Sequence, residues 1–139
     1  MILLDTDVLA ALMQREPNQT VVGWLDDQPA ESVWTTSITV CEIRTGIELL
    51  EPGRRRRQLE QAFIELLAED LSARVQSFDQ SAAFAAANIA AARQRAGKPA
   101  EVRDVQIAGI AAARRATLAT RSTLHFADLG VELIDPWSA

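Results

Sequence analysis

The 139-residue sequence contains one cysteine, Cys41, one histidine, His125, and no tyrosine. A single cysteine excludes an intramolecular disulfide framework and a zinc site built on cysteines. A single histidine excludes a site that needs a pair of histidines. Chemistry based on paired cysteines or paired histidines is therefore excluded, and other side chains must carry any activity.

Long apolar runs and clustered glycines are also missing. The six glycines are scattered, so the chain has no glycine-rich phosphate loop. The longest apolar stretch, residues 82–92, is interrupted by Asn88 and is shorter than the ~20 residues that a membrane span needs. The first predicted strand begins at residue 2, so we expect no leader segment, no membrane segment and a cytosolic protein.

Positive charge is scarce as well. The chain has 14 basic residues, of which Lys98 is the only lysine, against 19 acidic residues, for a net charge of −5. Such a protein is not expected to hold nucleic acid through bulk charge. It can still cut nucleic acid if the negative charge is gathered into a metal site. The length predicts a single domain over residues 1–139 with a substantial core.

The first residues predict a buried strand followed directly by an acid. Residues 2–4 form an apolar run that is too short for a helix and typical of a parallel sheet. Asp5 follows at the carboxyl end of this strand, where ligands bind in open α/β sheets. Thr6 or Asp7 is then predicted to cap a helix. The alternative interpretation is that both aspartates only cap that helix.

A second acid follows the second predicted strand, residues 32–37. The next helix carries an apolar stripe that includes Ile43 and Ile47. Thr39 and Glu42 have the spacing of a capping box, which is the structural alternative for Glu42. The same position also brings the Glu42 carboxylate beside the end of the strand, next to Asp5.

The rest of the chain continues the alternation of helices and strands. The run Arg54–Arg57 opens a helix and is interpreted as a solvated surface, with a phosphate-contacting patch as the alternative. Asp79 is predicted to cap an alanine-rich helix that ends near Gly97. Asp104 leads a second alanine-rich helix, with an N-cap as its structural alternative. The remaining predicted strands are residues 74–78, 117–120 and 131–134, with a short irregular segment at residues 125–128.

The order βααβααβααββ predicts a three-layer α/β/α fold, with a mostly parallel sheet of about five strands between two helical layers. This topology brings Asp5, Glu42 and Asp104 to one edge of the sheet. Like charges held together are costly unless a cation joins them. Oxygen ligands of this kind suit Mg²⁺ or Mn²⁺, which can activate water and neutralise a phosphodiester under attack.

Several motifs, in this order, resemble those of PIN-domain proteins, and most closely the VapC toxins in their FitB-like branch. They are residues 4–9 (Leu-Asp-Thr-Asp-Val-Leu), residues 37–46 (Ser-Ile-Thr-Val-Cys-Glu-Ile-Arg-Thr-Gly), Asp104 with Ile107-Ala108, residues 118–121 (Leu-Ala-Thr-Arg), and residues 135–137 (Asp-Pro-Trp). The resemblance extends from residue 1 to residue 137.

The resemblance implies a Mg²⁺-dependent ribonuclease that is the toxin of a toxin–antitoxin pair, with RNA as its substrate. It implies that Asp5, Glu42 and Asp104 are the catalytic, metal-binding acids. It also implies a homodimer, and inhibition by a DNA-binding antitoxin within a larger complex. An antitoxin segment with a basic side chain is expected to cover the acidic cleft.

Auxiliary roles are implied for Thr6, Asp7, Thr120 and Ser122. The chain departs from the family pattern where it has Asp7 in place of a frequent Asn, Ser122 in place of a frequent Asn or Asp, and His125 in place of a frequent Asp. The fourth acid is therefore missing or relocated. We expect one well-occupied metal site and a weaker second one, with Asp7 either supplying the missing charge or capping its helix.

Two other functions are compatible with parts of the sequence. Residues 4–9 also resemble the opening motif of haloacid-dehalogenase phosphatases, in which the first aspartate is phosphorylated. That fold needs a later lysine, for which Lys98 is the only candidate, and a late acidic pair, whereas Asp26-Asp27 comes too early. The other alternative is a non-catalytic PIN-like binding module.

Overall fold

The computed structural model describes residues 1–139 and contains five strands and seven α-helices. In chain order these are β1 (Ile2–Leu4), α1 (Thr6–Leu12), α2 (Gln19–Asp26), β2 (Val33–Thr36), α3 (Ser37–Glu48), α4 (Arg54–Glu65), β3 (Val75–Gln76), α5 (Gln80–Arg95), α6 (Val102–Arg114), β4 (Thr117–Ala119), α7 (Thr123–Phe126) and β5 (Glu132–Ile134). One-turn 3₁₀ helices span Ala30–Ser32 and Pro136–Ser138, and a π-helix, Leu66–Asp70, extends α4.

The sheet has the strand order β3-β2-β1-β4-β5, and every pair of neighbouring strands is parallel. The predicted α/β architecture with about five mostly parallel strands is confirmed. In this order the chain winds outward from β1 through β2 to β3, and then crosses back to β4 on the other side of β1. The crevice beyond the carboxyl ends of β1 and β4 is therefore the topological switch point, where open α/β sheets bind ligands.

Two apolar clusters cover the two faces of the sheet. Adjacent residues of β1 point to opposite faces, so Leu4 packs in one cluster with residues of α1 to α4, and Leu3 packs in the other with residues of α6 and α7. Both side chains are fully buried. The predicted three layers follow from this alternation. None of the helices has both the length and the hydropathy that a bilayer crossing requires.

The predicted order of helices and strands was wrong in one place. A one-turn helix, α7, replaces the irregular segment expected before the last strand. Its first turn is closed by the His125 N–H, which donates to the Ser122 carbonyl at 3.0 Å. Phe126 at its end is buried in the second apolar cluster. The helix therefore forms because Phe126 must reach the core while Ser122 stays at the edge of the sheet.

Candidate active site

A pocket of about 370 Å³ opens at the switch point of the sheet. Nearly all of its lining is polar, and five of its nine residues are acidic. The lining residues are Asp5, Thr6, Asp7, Glu42, Glu101, Asp104, Ser122, His125 and Phe126. The three predicted acids, together with Thr6, Asp7 and Ser122, thus border one cavity. Thr120 lies beneath it, where its hydroxyl donates to Asp5.

Asp5 is the buried acid of the pocket, with 6% of its surface exposed. Its backbone N–H donates to the Ala119 carbonyl at 3.0 Å and so extends the β1–β4 ladder by one residue. The Thr120 hydroxyl donates to Asp5 Oδ2 at 2.9 Å. Burial raises the pKa of Asp5 from 3.8 to about 6, with the charges of Asp7 and Glu42 adding to the effect and the hydrogen bonds from Thr6 and Thr120 opposing it.

The expected cap of α1 was wrong. Asp5 itself occupies the N-cap position, and its side chain makes no capping hydrogen bond. Thr6 and Asp7 are the first two residues of the helix rather than its cap. The alternative that both aspartates serve only as helix caps fails with it, because the carboxylates of Asp5 and Asp7 point toward the turn after β4.

Asp7 clamps that turn. Its Oδ2 accepts hydrogen bonds from the Arg121 N–H and the Ser122 hydroxyl, both at 3.1 Å, and lies 3.4 Å from the Thr120 hydroxyl. The Ser122 N–H in turn donates to Thr120 Oγ1 at 3.0 Å. Asp7 therefore joins the start of α1 to the residues that orient the Asp5 carboxylate.

We expect Asp7→Ala to reduce the free energy of unfolding by about 1–2 kcal/mol, because the Arg121 and Ser122 donors lose a charged acceptor. Asp7→Asn keeps an acceptor oxygen in the same place and should retain most of that stability. Equilibrium urea unfolding of both variants measures the difference. Equal losses in the two variants would show that the negative charge, rather than the hydrogen bonds of the clamp, stabilises the turn.

Glu42 reaches the pocket from the second turn of α3, and the capping box considered as its alternative role does not form. Thr36 is the N-cap of α3, and its Oγ1 accepts a hydrogen bond from the Thr39 N–H at 3.0 Å. The helix thus begins before Thr39, so Glu42 is too far along it to cap the first turn. Its Oε2 instead lies 3.9 Å from Arg103 Nη1 across the pocket. This placement excludes the structural alternative and leaves Glu42 available to a ligand.

Asp104 enters the pocket from the first turn of α6. Glu101, and not Asp104, is the N-cap of that helix. Partial burial raises the pKa of Asp104, and the charges of Glu101 and Glu42 act in the same direction, whereas His125 lowers it. His125 Nδ1 lies 3.6 Å from Asp104 Oδ2. The alternative that Asp104 only caps its helix is therefore excluded, and the carboxylate borders the pocket.

The donor set fits a hard divalent cation in kind, since all of the acids offer oxygen ligands. Thr6 Oγ1 and Asp7 Oδ1 are also buried without a hydrogen-bond partner in the protein, as expected of atoms that contact a bound ligand. No three acidic, histidine or cysteine side chains converge closely enough, however, to hold an ion as they stand. Glu42 and Asp104 instead lie beside basic side chains, Glu42 at 3.9 Å from Arg103 and Asp104 at 3.6 Å from His125.

Sequence reasoning missed Glu101 as a pocket residue. It lies one helical turn before Asp104 and shares its face of α6, so the i, i+3 spacing of the two acids was the available signal. His125, which departs from the family pattern, is exposed and borders the pocket. The turn predicted after Thr120 is confirmed, because Ser122 borders the pocket.

The fold and the site together define a class, namely a doubly wound α/β domain with a cluster of acids at the switch point of its sheet. Comparison with protein families identifies the family more closely. The PIN domain matches residues 2–129. The chain therefore belongs to the PIN domain family.

Relatives of the same length support this assignment. The plasmid stability protein StbB of Pseudomonas syringae pv. tomato is 40% identical over 139 residues and is covered completely by the match, as is this chain. The VapC ribonuclease Y4jK of Sinorhizobium fredii is 34% identical over 137 residues, which is 99% of this chain and 98% of the relative. The toxin FitB of Neisseria gonorrhoeae is 34% identical over 137 residues, which is 99% of each chain. The crystal structure of FitAcB from Neisseria gonorrhoeae matches 100% of both chains at 34% identity, with a TM-score of 0.89.

Proposed function

We propose that this protein is a metal-dependent ribonuclease and the toxin of a type II toxin–antitoxin pair. The observation that carries the proposal is the convergence of Asp5, Glu42 and Asp104 on one pocket at the switch point of a PIN fold. A ribonuclease and a toxin among the full-length relatives support the same function.

The proposed metal ion is Mg²⁺, for which Mn²⁺ can substitute. Asp5, Glu42 and Asp104 would hold the ion. When bound, such an ion supplies an activated water and neutralises charge that develops on the phosphodiester. The protein's part is to deliver ionised carboxylates. The Glu42 carboxylate lies 3.9 Å from Arg103 and the Asp104 carboxylate 3.6 Å from His125, so both would turn from these neighbours to a common ligand.

Thr120 and Asp7 have supporting roles in this proposal. The Thr120 hydroxyl fixes one Asp5 oxygen, so the other oxygen is directed toward the pocket. Asp7 holds the turn that carries Thr120 and leaves its own Oδ1 free of a protein donor. Asp7 thus combines the two roles considered for it, since one oxygen positions the turn and the other can add charge to a weaker second metal site.

Digestion of RNA by the purified protein tests the proposal directly. Cleavage should require Mg²⁺ or Mn²⁺, cease with EDTA, and be absent from Asp5→Asn. Release of inorganic phosphate from small esters would instead favour the phosphatase, although the pocket contains no lysine that could serve such an enzyme. Absence of both activities in the metal-loaded protein would favour the non-catalytic module.

We propose that a DNA-binding antitoxin is the partner of this protein. The toxin would form a homodimer within a larger complex with that antitoxin. Two acids of the pocket already contact basic side chains of the same chain, Glu42 with Arg103 and Asp104 with His125. An arginine or lysine of the antitoxin would compete for the same carboxylates. Neutralising every basic residue of the antitoxin segment that covers the pocket should therefore restore cleavage, and unchanged inhibition would contradict this mode of binding.

The raised pKa of Asp5 predicts how stability depends on pH. Between the unfolded value of 3.8 and the folded value of about 6, the native state binds a proton that the unfolded state has lost. The contribution of Asp5 is therefore complete below about pH 4 and is lost as the pH rises through 6. Asp5→Asn removes this loss, so at pH 7 it should be more stable than the wild type by about 3 kcal/mol.

Thermal unfolding of both proteins at pH 4 and pH 7, in EDTA, measures this difference. The two proteins should melt together at pH 4 and separate at pH 7. Excess Mg²⁺ at pH 7 should then raise the melting temperature of the wild type alone. A constant gap between the proteins at both pH values would show that Asp5 does not titrate in this window.

A further inference from the structure

Arg121 and Trp137 form a stacked pair at the turn that follows β4, whose residues Thr120 and Ser122 contact the acids of the pocket. The Arg121 guanidinium carbon lies 4.9 Å from the centroid of the Trp137 ring, which is the geometry of a cation–π contact. Arg121 is exposed, whereas Trp137 is half-buried against the first apolar cluster. The ring is thus part of the protein body, and the guanidinium lies over it at the surface.

Hydrogen bonds from the backbone N–H groups fix both members of the pair. The Arg121 N–H donates to Asp7 Oδ2, the same oxygen that clamps the turn at the pocket. The Trp137 N–H donates to Asp135 Oδ1 at 2.9 Å, and the adjacent Pro136 is buried. The pair is therefore fixed relative to Asp5 and Asp7 and loses little conformational entropy when a ligand binds.

Arg121 differs from Arg103 and His125 because its side chain does not lie beside a carboxylate. The five acids of the pocket repel a polyanion, and the neighbouring basic side chains, Arg103 and His125, lie beside the carboxylates of Glu42 and Asp104. Arg121 directly follows Thr120, whose hydroxyl donates to Asp5. The Arg121 guanidinium nevertheless forms no ion pair with an acid. It is an unpaired cation next to a negative site, which is where a phosphate that leads into the pocket would need one.

We propose that Arg121 and Trp137 form a subsite for single-stranded RNA next to the cleavage pocket, an inference that rests on the proposed ribonuclease function. The edge of the guanidinium binds a backbone phosphate, and its outer face stacks on an unpaired base. Trp137 holds the guanidinium in that orientation from below. A duplex offers no free base face, so the subsite selects unpaired RNA.

Binding of a fluorescently labelled single-stranded RNA oligonucleotide, measured by anisotropy in the cleavage-deficient Asp5→Asn background with Mg²⁺, tests the subsite. Arg121→Gln should weaken binding about five- to tenfold and reduce the slope of log affinity against log salt by about 0.7, the value for one phosphate contact on a single strand. Arg121→Lys should keep the salt slope but bind more weakly than wild type, because it keeps the charge and loses the stacking plane. Trp137→Phe keeps the charge and the guanidinium plane and loosens only their orientation, so it should keep the salt slope and bind RNA between Arg121→Lys and the parent protein.

Arg115→Gln is the matched control. It removes the same charge from an exposed arginine just before β4, at the opposite end of the strand that leads to Arg121, and should bind RNA as the parent protein does. An Arg121→Gln protein that folds and binds like Arg115→Gln would overturn the subsite, and cleavage by the wild type would still uphold the ribonuclease. An affinity that depends on Arg121 in a protein that never cleaves RNA would uphold the subsite and refute the ribonuclease.

Discussion

Asp5→Asn, Glu42→Gln and Asp104→Asn should each reduce the rate of RNA cleavage by about a hundredfold or more, the range seen when one electrostatic contact to a transition state is removed. Each change keeps the size of the side chain and removes a ligand charge from the same pocket. The helices should survive, since none of these three side chains makes a capping hydrogen bond. Initial rates at saturating Mg²⁺, together with circular dichroism spectra, measure both effects.

Asp27→Asn is the control for these variants. It neutralises one exposed acid at the end of α2, outside the pocket, and should cleave RNA at the wild-type rate. Titration calorimetry with Mn²⁺ provides a readout other than activity, because loss of a ligand should weaken binding of the ion. Unchanged Mn²⁺ affinity in all three pocket variants would contradict the metal site, whatever their activity.

The convergence of the three acids could be predicted because it depends on topology alone. An apolar run followed by Asp5 places that residue at the end of a strand, and the alternation of strands and helices makes the sheet parallel. In a parallel sheet, all strands end at the same edge. Glu42 and Asp104 follow from the same argument, and the pocket confirms that they share this edge with Asp5.

The local roles of these residues could not be predicted in the same way. Thr36, Thr39 and Asp5 are all acceptable N-cap types, and only the actual end of a strand decides which of them begins the helix. β2 ends at Thr36, one residue before the predicted end, so α3 begins at Ser37 and Glu42 falls in its second turn. A shift of two or three residues thus separates a capping box from a pocket ligand.

Contacts between side chains of different helices and strands could not be predicted from the sequence either. Arg103 is adjacent to Asp104 in the chain, yet it pairs with Glu42 on another helix. The clamp of Asp7 on residues 120–122 joins positions more than a hundred residues apart. Such contacts depend on the separation and rotation of packed helices, which no periodicity in the chain encodes. The same limit applies to the close approach of α5 and α6, where the sequence shows only an abundance of small residues.

The second large effect is expected at that helix contact. Gly109 of α6 is buried against α5, and a Cβ at this position would lie 2.7 Å from the Ala82 carbonyl oxygen, 2.7 Å from the Ala86 Cβ and 2.9 Å from the Ala86 nitrogen. These atoms cannot rotate away, because they belong to the backbone or are fixed to it. Gly109→Ala should therefore force the helices apart and cost about 3 kcal/mol, the upper part of the range for overpacking, despite the better helix propensity of alanine.

Gly46→Ala is the control, since Gly46 lies within α3 and a Cβ there would meet no atom within 4 Å. It should increase the free energy of unfolding by about 0.5–1 kcal/mol through helix propensity alone. Equilibrium urea unfolding, followed by far-ultraviolet circular dichroism, measures both variants against the wild type. The expected result is a shift of the two midpoints in opposite directions. If Gly109→Ala were as stable as Gly46→Ala, α5 and α6 could separate at no cost, and the small residues between them would not be required for packing.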